Sequence, residues 1–153
     1  MVKKKRTKKR TRPLRRTASV RKKPLLTMAM MVKNEEGFLE DALASAKGFC
    51  DELVVVDTGS TDRSVEIARD MGAKVSFFEW CDSFSKARNV TLRRSTGEWV
   101  IILDADERFR GRNPGAIRQH LVRSEHWPYQ ALMLNVINTR LDGSPISSFF
   151  SVR

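Results

Sequence analysis

The chain has 153 residues, two cysteines and a formal net charge of +11, enough length for one domain with a real core. Residues 1–23 hold 13 Lys or Arg and no acid, leaving 16 basic against 18 acidic residues beyond them, so the high isoelectric point belongs to a tail and the remainder is near neutral. No apolar run approaches the roughly 20 residues of a membrane span, the basic start lacks a secretory apolar stretch, and Cys50 and Cys81 stand apart with no histidine cluster to make a zinc site.

The tail, residues 1–23, is expected to be disordered, because its like charges repel and it has little to bury. Its chemistry suits an anionic membrane surface, or RNA or DNA. The cytoplasm is the default location, peripheral to a membrane if the tail binds lipid. A single domain is expected over 24–153.

Residues 25–32 form an apolar run suited to a first buried strand. Asn34 then reads as a helix cap, with Glu35 and Glu36 in the first turn, where the helix dipole favours negative charge. Phe38, Leu39, Ala42, Leu43 and Ala46 follow at helical spacing, and Gly48 is a stop. Residues 53–56 predict a second buried strand, ending on Asp57. A turn at 58–61 leads to a helix capped by Thr61 or Asp62, with Val65, Ala68 and Met71 inside and Gly72 at its end. Residues 73–78 predict a short third strand, and Asp82 or Ser83 opens a helix through Arg94, broken by Gly97.

The run at 99–103 reads as a strand buried on both faces, delivering Asp104 and Asp106. Asn113 and Pro114 open a helix to about Ser124. Strands are expected at 129–138 and 146–152, joined by a turn at 141–144. Alternating strands and helices predict the α/β class, with a mostly parallel central sheet flanked by helices.

Three polar clusters follow three apolar strands: residues 33–36, 57–62 and 104–107. In an open α/β sheet such clusters converge on the carboxyl edge, where ligands bind. Asp104 and Asp106, one residue apart, can point the same way if extended and would seat a hard divalent cation carrying phosphates. No glycine-rich phosphate cradle is present, so a cation on Asp106, helped by Arg88 or Lys86, would neutralise a diphosphate. Asp57 would either cap its own turn or accept hydrogen bonds from a nucleobase or ribose. Asp62 reads as a cap, and His120 and His126 as surface residues.

At residues 31–36, 55–62, 84–89 and 103–107 the chain resembles the nucleotide-sugar-dependent glycosyltransferases of family 2, in their order and at about their spacing. The resemblance implies a Rossmann-like GT-A fold, a DXD motif and a UDP-sugar donor held with Mn2+ or Mg2+. It implies that Asp57 contacts the base, Asp104 the ribose and Asp106 the metal, with Asn34, Glu35 and Arg88 lining the nucleotide pocket. It further implies inverting transfer to an acceptor that the sequence does not identify. The family's acceptor-side strands and catalytic base lie beyond the point where residue 153 falls, so a truncated domain with no nameable base, and an open sheet edge prone to self-association, are expected. Three alternatives stand beside this. The Asp57-Thr58-Gly59 loop reads like that of an aspartic protease, which needs an all-β fold and two such loops. The tail could make the chain a nucleic-acid-binding module, and a nucleotidyltransferase would share the metal logic.

Overall fold

The apolar runs near the start of the domain form the two inner strands of a parallel sheet. The computed structural model describes residues 23–111, 113–123, 133–139 and 144–152, so the expectations for residues 1–22, for His126 and for the turn at 141–143 lie outside the described residues. In chain order the elements are β1 (Leu26–Val32), α1 (Leu39–Lys47), β2 (Glu52–Asp57), α2 (Ser64–Asp70), β3 (Lys74–Phe77), α3 (Phe84–Arg94), β4 (Trp99–Ile102), α4 (Pro114–Arg123), β5 (Met133–Thr139) and β6 (Pro145–Val152). The main sheet has the order β3-β2-β1-β4, every pairing parallel. β5 and β6 pair antiparallel as a separate two-stranded sheet.

Alternation along β1 and β2 sorts the two faces. Met28, Met30 and Val32 with Leu53 and Val55 join Leu39, Ala42, Leu43 and Ala46 of α1 in the main core. Each Met, Val or Leu side chain among these, fully removed from water, contributes about 1.5–3 kcal/mol. On the other face α3 crosses β1 and β2. There Ala29, Val54 and Val56 are fully buried, as are Ala87 and Thr91 of the helix.

Three sequence expectations need correction. Asn34 does not cap α1: it takes a left-handed backbone (φ 57°), and the helix starts at Leu39 after an uncapped Phe38. Phe38 is consequently not core but 55% exposed. β4 is not buried on both faces; only Ile101 is buried in it, because β4 is an edge strand of the described sheet. Ser83 and Asn113 do cap their helices, accepting from Lys86 N and from Gly115 N respectively. Asp57 closes a parallel strand that leads into α2, an arrangement incompatible with the all-β fold of an aspartic protease.

The amino ends of the strands are joined by one buried carboxylate. Glu52, at the start of β2, accepts from Thr27 Oγ1 (2.5 Å), Thr96 N (2.7 Å) and Thr96 Oγ1 (2.8 Å), and from Lys74 Nζ. Burial raises its pKa, but Lys74 and the threonines outweigh that and hold the carboxyl at about 2. Thr27 Oγ1 in turn accepts from Gly97 N at 2.9 Å. The thiol at this edge, Cys50, is half-buried and its pKa is pushed up to about 12, chiefly by burial, whereas Cys81 is exposed.

Two outcomes follow from this edge. The folded state keeps Glu52 ionised at pH values where the unfolded chain protonates it. Its stabilisation is therefore complete above about pH 4.5 and is lost as pH falls toward 2. Thermal melts should show Glu52→Gln less stable than the parent at pH 7 and flatter across that acid window; parallel acid limbs would deny Glu52 this role. A Cβ at Gly97 would lie 2.5 Å from Thr27 Oγ1 and 2.9 Å from Thr27 N. Gly97→Ala should therefore cost about 1–3 kcal/mol in chemical denaturation.

Candidate nucleotide site

Because β1, β2 and β4 run parallel, their carboxyl ends share one edge. The chain leaves β1 toward β2 through α1 but reaches β4 from β3 through α3, so the direction of crossover reverses between β1 and β4. Such a reversal opens a crevice in α/β sheets. A cavity of about 490 Å³ occupies it. Met31, Val32, Lys33, Glu35 and Phe38 come from the β1 side, Thr58 from β2, Trp80 and Phe84 from the entry to α3, and Asp104, Ala105 and Asp106 from beyond β4. A larger cavity, about 820 Å³, lies at the amino edge around Glu52, Asp51 and Lys74. Its acids are already matched, Glu52 by Lys74 and Asp51 by Arg118 at 2.7 Å. The smaller cavity holds the unmatched chemistry.

Much of the polar sequence around it latches two loops together. Asn34 N donates to Ser60 Oγ (2.9 Å), and Asn34 Oδ1 accepts from Thr61 N (2.7 Å). Glu35 N donates to Ser64 Oγ (2.8 Å), Glu36 N to Asp62 Oδ2 (3.0 Å), and Arg63 N to Glu36 Oε2 (3.1 Å). Asp62 also accepts from Ser64 N at 3.0 Å, but neither it nor Thr61 is the cap expected for α2: the N-cap is Arg63, with no side-chain cap bond, and Asp62 lies one residue outside. The Asp62 carboxyl is held below the ordinary value: desolvation opposes this, but the bonds from Ser64 and Glu36 prevail. Asp57 is buried, and its carboxylate accepts from Gly59 N (3.2 Å) and Ser60 N (3.0 Å). Glu35 thus lines the cavity, while Asn34 and Asp57 do not line it and hold the adjoining loops together.

The acid pair reaches the cavity by a different route from the one its spacing suggested. β4 ends at Ile102, and Asp104 to Glu107 form a tight turn closed by Glu107 N on Asp104 O at 3.0 Å. Ala105 is buried between the two aspartates, so both carboxylates are left on the open side. Glu107 Oε2 accepts from Asp104 N at 3.1 Å. Arg88, on α3, donates from Nη2 to Asp104 Oδ1 at 3.1 Å, while its buried Nη1 has no partner among the described residues. Neither of the two candidate helpers lines the cavity itself: Arg88 reaches it only through Asp104, and Lys86 does not contact it.

A divalent cation fits this donor set as a shared ligand. Asp106 is exposed and accepts no hydrogen bond among the described residues, and Asp104 keeps one oxygen free. No group of three or more His, Cys, Asp or Glu among the described residues could hold a metal unaided. Mg2+-like cations are held by one or two carboxylates when substrate phosphates complete the shell.

The sequence reading missed the aromatic walls. Phe84 is 68% exposed, and Trp80 meets it edge-on with ring centroids 4.9 Å apart. Trp80 Nε1 donates to Asp82 Oδ1 at 2.9 Å, and Asp82 takes a left-handed backbone (φ 53°). Aromatic residues lying just before or at the first residue of a helix, following a strand's carboxyl end, were the available signal.

The model of glycosyl transferase family 2 matches residues 27–126. A TPR repeat-containing protein of Synechococcus elongatus is 46% identical over 82 residues, covering 54% of this chain and 20% of that protein. The glycosyltransferase SunS of Bacillus subtilis is 33% identical over 96 residues, covering 61% of this chain and 23% of that protein. The chain thus spans about a fifth to a quarter of these relatives' length. Among solved structures, a glucosyl-3-phosphoglycerate synthase from Mycobacterium tuberculosis in complex with Mn2+ and UDP-glucose aligns with a TM-score of 0.53 at 22% identity, over 69% of this chain and 40% of that one. That likeness establishes the GT-A fold. With the model match spanning well over half of the sequence, the chain belongs to glycosyl transferase family 2.

Proposed function

We propose that this domain binds a nucleotide-sugar, a UDP-sugar foremost, at the carboxyl edge of its sheet, as the donor half of an inverting glycosyltransferase. The observation that carries the reading is the turn that puts Asp104 and Asp106 together in one cavity with Glu35, Lys33 and Thr58, at the crossover reversal. Asp106 would hold a divalent cation, Mn2+ or Mg2+, which when bound would neutralise the diphosphate. Asp104, oriented by Arg88, suits a ribose hydroxyl as acceptor of its hydrogen bond. The unpartnered Nη1 of Arg88 supports a ligand oxygen beside that pair, since a buried donor without an acceptor costs about 1–3 kcal/mol. Asp57 would read a base edge, its carboxylate held in orientation by the amides of Gly59 and Ser60. The acceptor hydroxyl would attack the anomeric carbon in line as its bond to the diphosphate oxygen breaks, the nucleoside diphosphate leaving and the hydroxyl proton passing to a carboxylate that we do not assign to a residue of this chain.

Residues 24–153 would then be the donor-binding unit, and the basic segment 1–23 a separate contact for anionic lipid or nucleic acid. Lys23 lines the cavity at the amino edge, so that contact would leave the donor crevice open. No described helix is long and apolar enough to cross a membrane.

Calorimetry tests the reading. UDP should bind with Mn2+ present and lose most of its affinity in EDTA, and Asp106→Ala should lose the metal-dependent part; equal affinity with EDTA would remove the cation. Asp57→Asn keeps an acceptor for the Ser60 amide. It should weaken UDP by about tenfold or more, the scale of a hydrogen bond to a charged group, and leave pyrophosphate binding nearly unchanged. Equal losses for both ligands would argue against base contact.

A further inference from the structure

The turn bearing Asp104 and Asp106 is gripped by an arginine that no part of the proposed donor contacts requires. Arg108 Nη1 donates to the carbonyls of Ala105 (2.9 Å) and Glu107 (3.0 Å), the residues on either side of Asp106. Its Nη2 reaches Asp41 Oδ2 on α1 at 3.5 Å. We propose that Arg108 is a positioning residue: its guanidinium fixes the direction in which the turn presents the Asp106 carboxylate. The inference rests on the reading of that carboxylate as a cation ligand.

The planar fork of a guanidinium offers several donors in fixed directions, so one arginine can hold two carbonyls and still touch a carboxylate; a lysine ammonium cannot reproduce that plane. The Arg108 side chain is 26% exposed, while Asp41 is 82% exposed. The ion pair is therefore weak and solvent-screened, and the two carbonyl bonds form the brace. The chain just beyond is anchored separately. Phe109 N donates to Ser45 Oγ at 2.9 Å, and the Phe109 ring lies 4.6 Å from that of Phe49. Removing the Arg108 head should loosen the acid turn without releasing the segment from α1.

Charge alone predicts the opposite of geometry. A positive group beside a cation seat repels the cation, so its neutralisation should tighten cation binding if charge is all that matters. If Arg108 acts by orientation, neutralisation should weaken it. Groups that orient a metal ligand typically change affinity by about 10- to 100-fold when lost.

The test uses the whole chain and its Arg108→Gln and Arg108→Lys variants. Two quantities are read: the Mn2+ concentration that half-saturates UDP binding, and the exchange rate of the Glu107 amide, which closes the turn on Asp104 O. In Arg108→Gln the Mn2+ requirement should rise by about 10- to 100-fold. Arg108→Lys should fail to restore it, and the Glu107 amide should exchange faster while the Met30 amide of β1 stays as protected as before. Tighter or unchanged Mn2+ dependence, or full rescue by lysine, would overturn the proposal. Unchanged Glu107 exchange would overturn the brace itself. Wild-type UDP binding indifferent to Mn2+ would instead strike down the cation reading, and the exchange measurement would still decide whether Arg108 holds the turn.

Discussion

Everything at the carboxyl edge depends on the parallel pairing of β1 with a neighbour on each side. The register Met28–Leu53 through Val32–Asp57 on one flank, and Leu26–Trp99 through Ala29–Ile102 on the other, makes three strand ends finish on one side of the sheet. The loops that follow them are then neighbours whatever their separation in sequence. Thr58 shows the tightness of that arrangement, since both its amide and its hydroxyl donate to the carbonyl of Val32, at 2.9 and 3.0 Å. At the amino edge the Glu52 network plays the matching part, tying β1, β2, β3 and the approach to β4 through one carboxylate. Leaving such a carboxylate in place while removing its partners is costly, because an unpaired buried charge is far worse than a paired one.

The polar residues near the crevice divide into two groups by what their oxygens already touch. Asn34, Glu36, Asp57 and Asp62 satisfy backbone amides in the adjoining loops. They stiffen the wall. Asp106, one oxygen of Asp104 and one nitrogen of Arg88 have no such employment among the described residues. The hydrogen-bonding capacity still free belongs to this second group. A motif comparison treats both groups alike, because both occupy the same short sequence stretches.

That division explains what was legible in the chain and what was not. The strand order of polar and apolar runs predicted each described element to within a few residues, since β1 and β2 are buried outright and their composition is decided by solvent exclusion. The caps at Ser83 and Asn113 were readable because the signal is local. Asn34 misled for a local reason too: the same side chain that caps helices also tolerates a left-handed backbone, and here the partner amide belongs to Thr61 in another loop. The acid pair was recognised, but a turn rather than an extended strand aligns it. Phe38 looked like core by periodicity, and only the tertiary arrangement reveals that it, Trp80 and Phe84 face a crevice. Arg108 carried no pattern at all, since its acceptors are main-chain carbonyls that every sequence possesses.

The unequal surroundings of the two thiols give the molecule an asymmetry useful to the experimenter. Cys50 sits half-buried in the amino-edge cavity with its proton firmly retained, so electrophiles find little thiolate there at neutral pH. Cys81 is exposed and adjoins Trp80, which forms part of the crevice wall. A maleimide dye would attach at that one position without any engineered mutation, placing a reporter beside an indole whose emission it can quench.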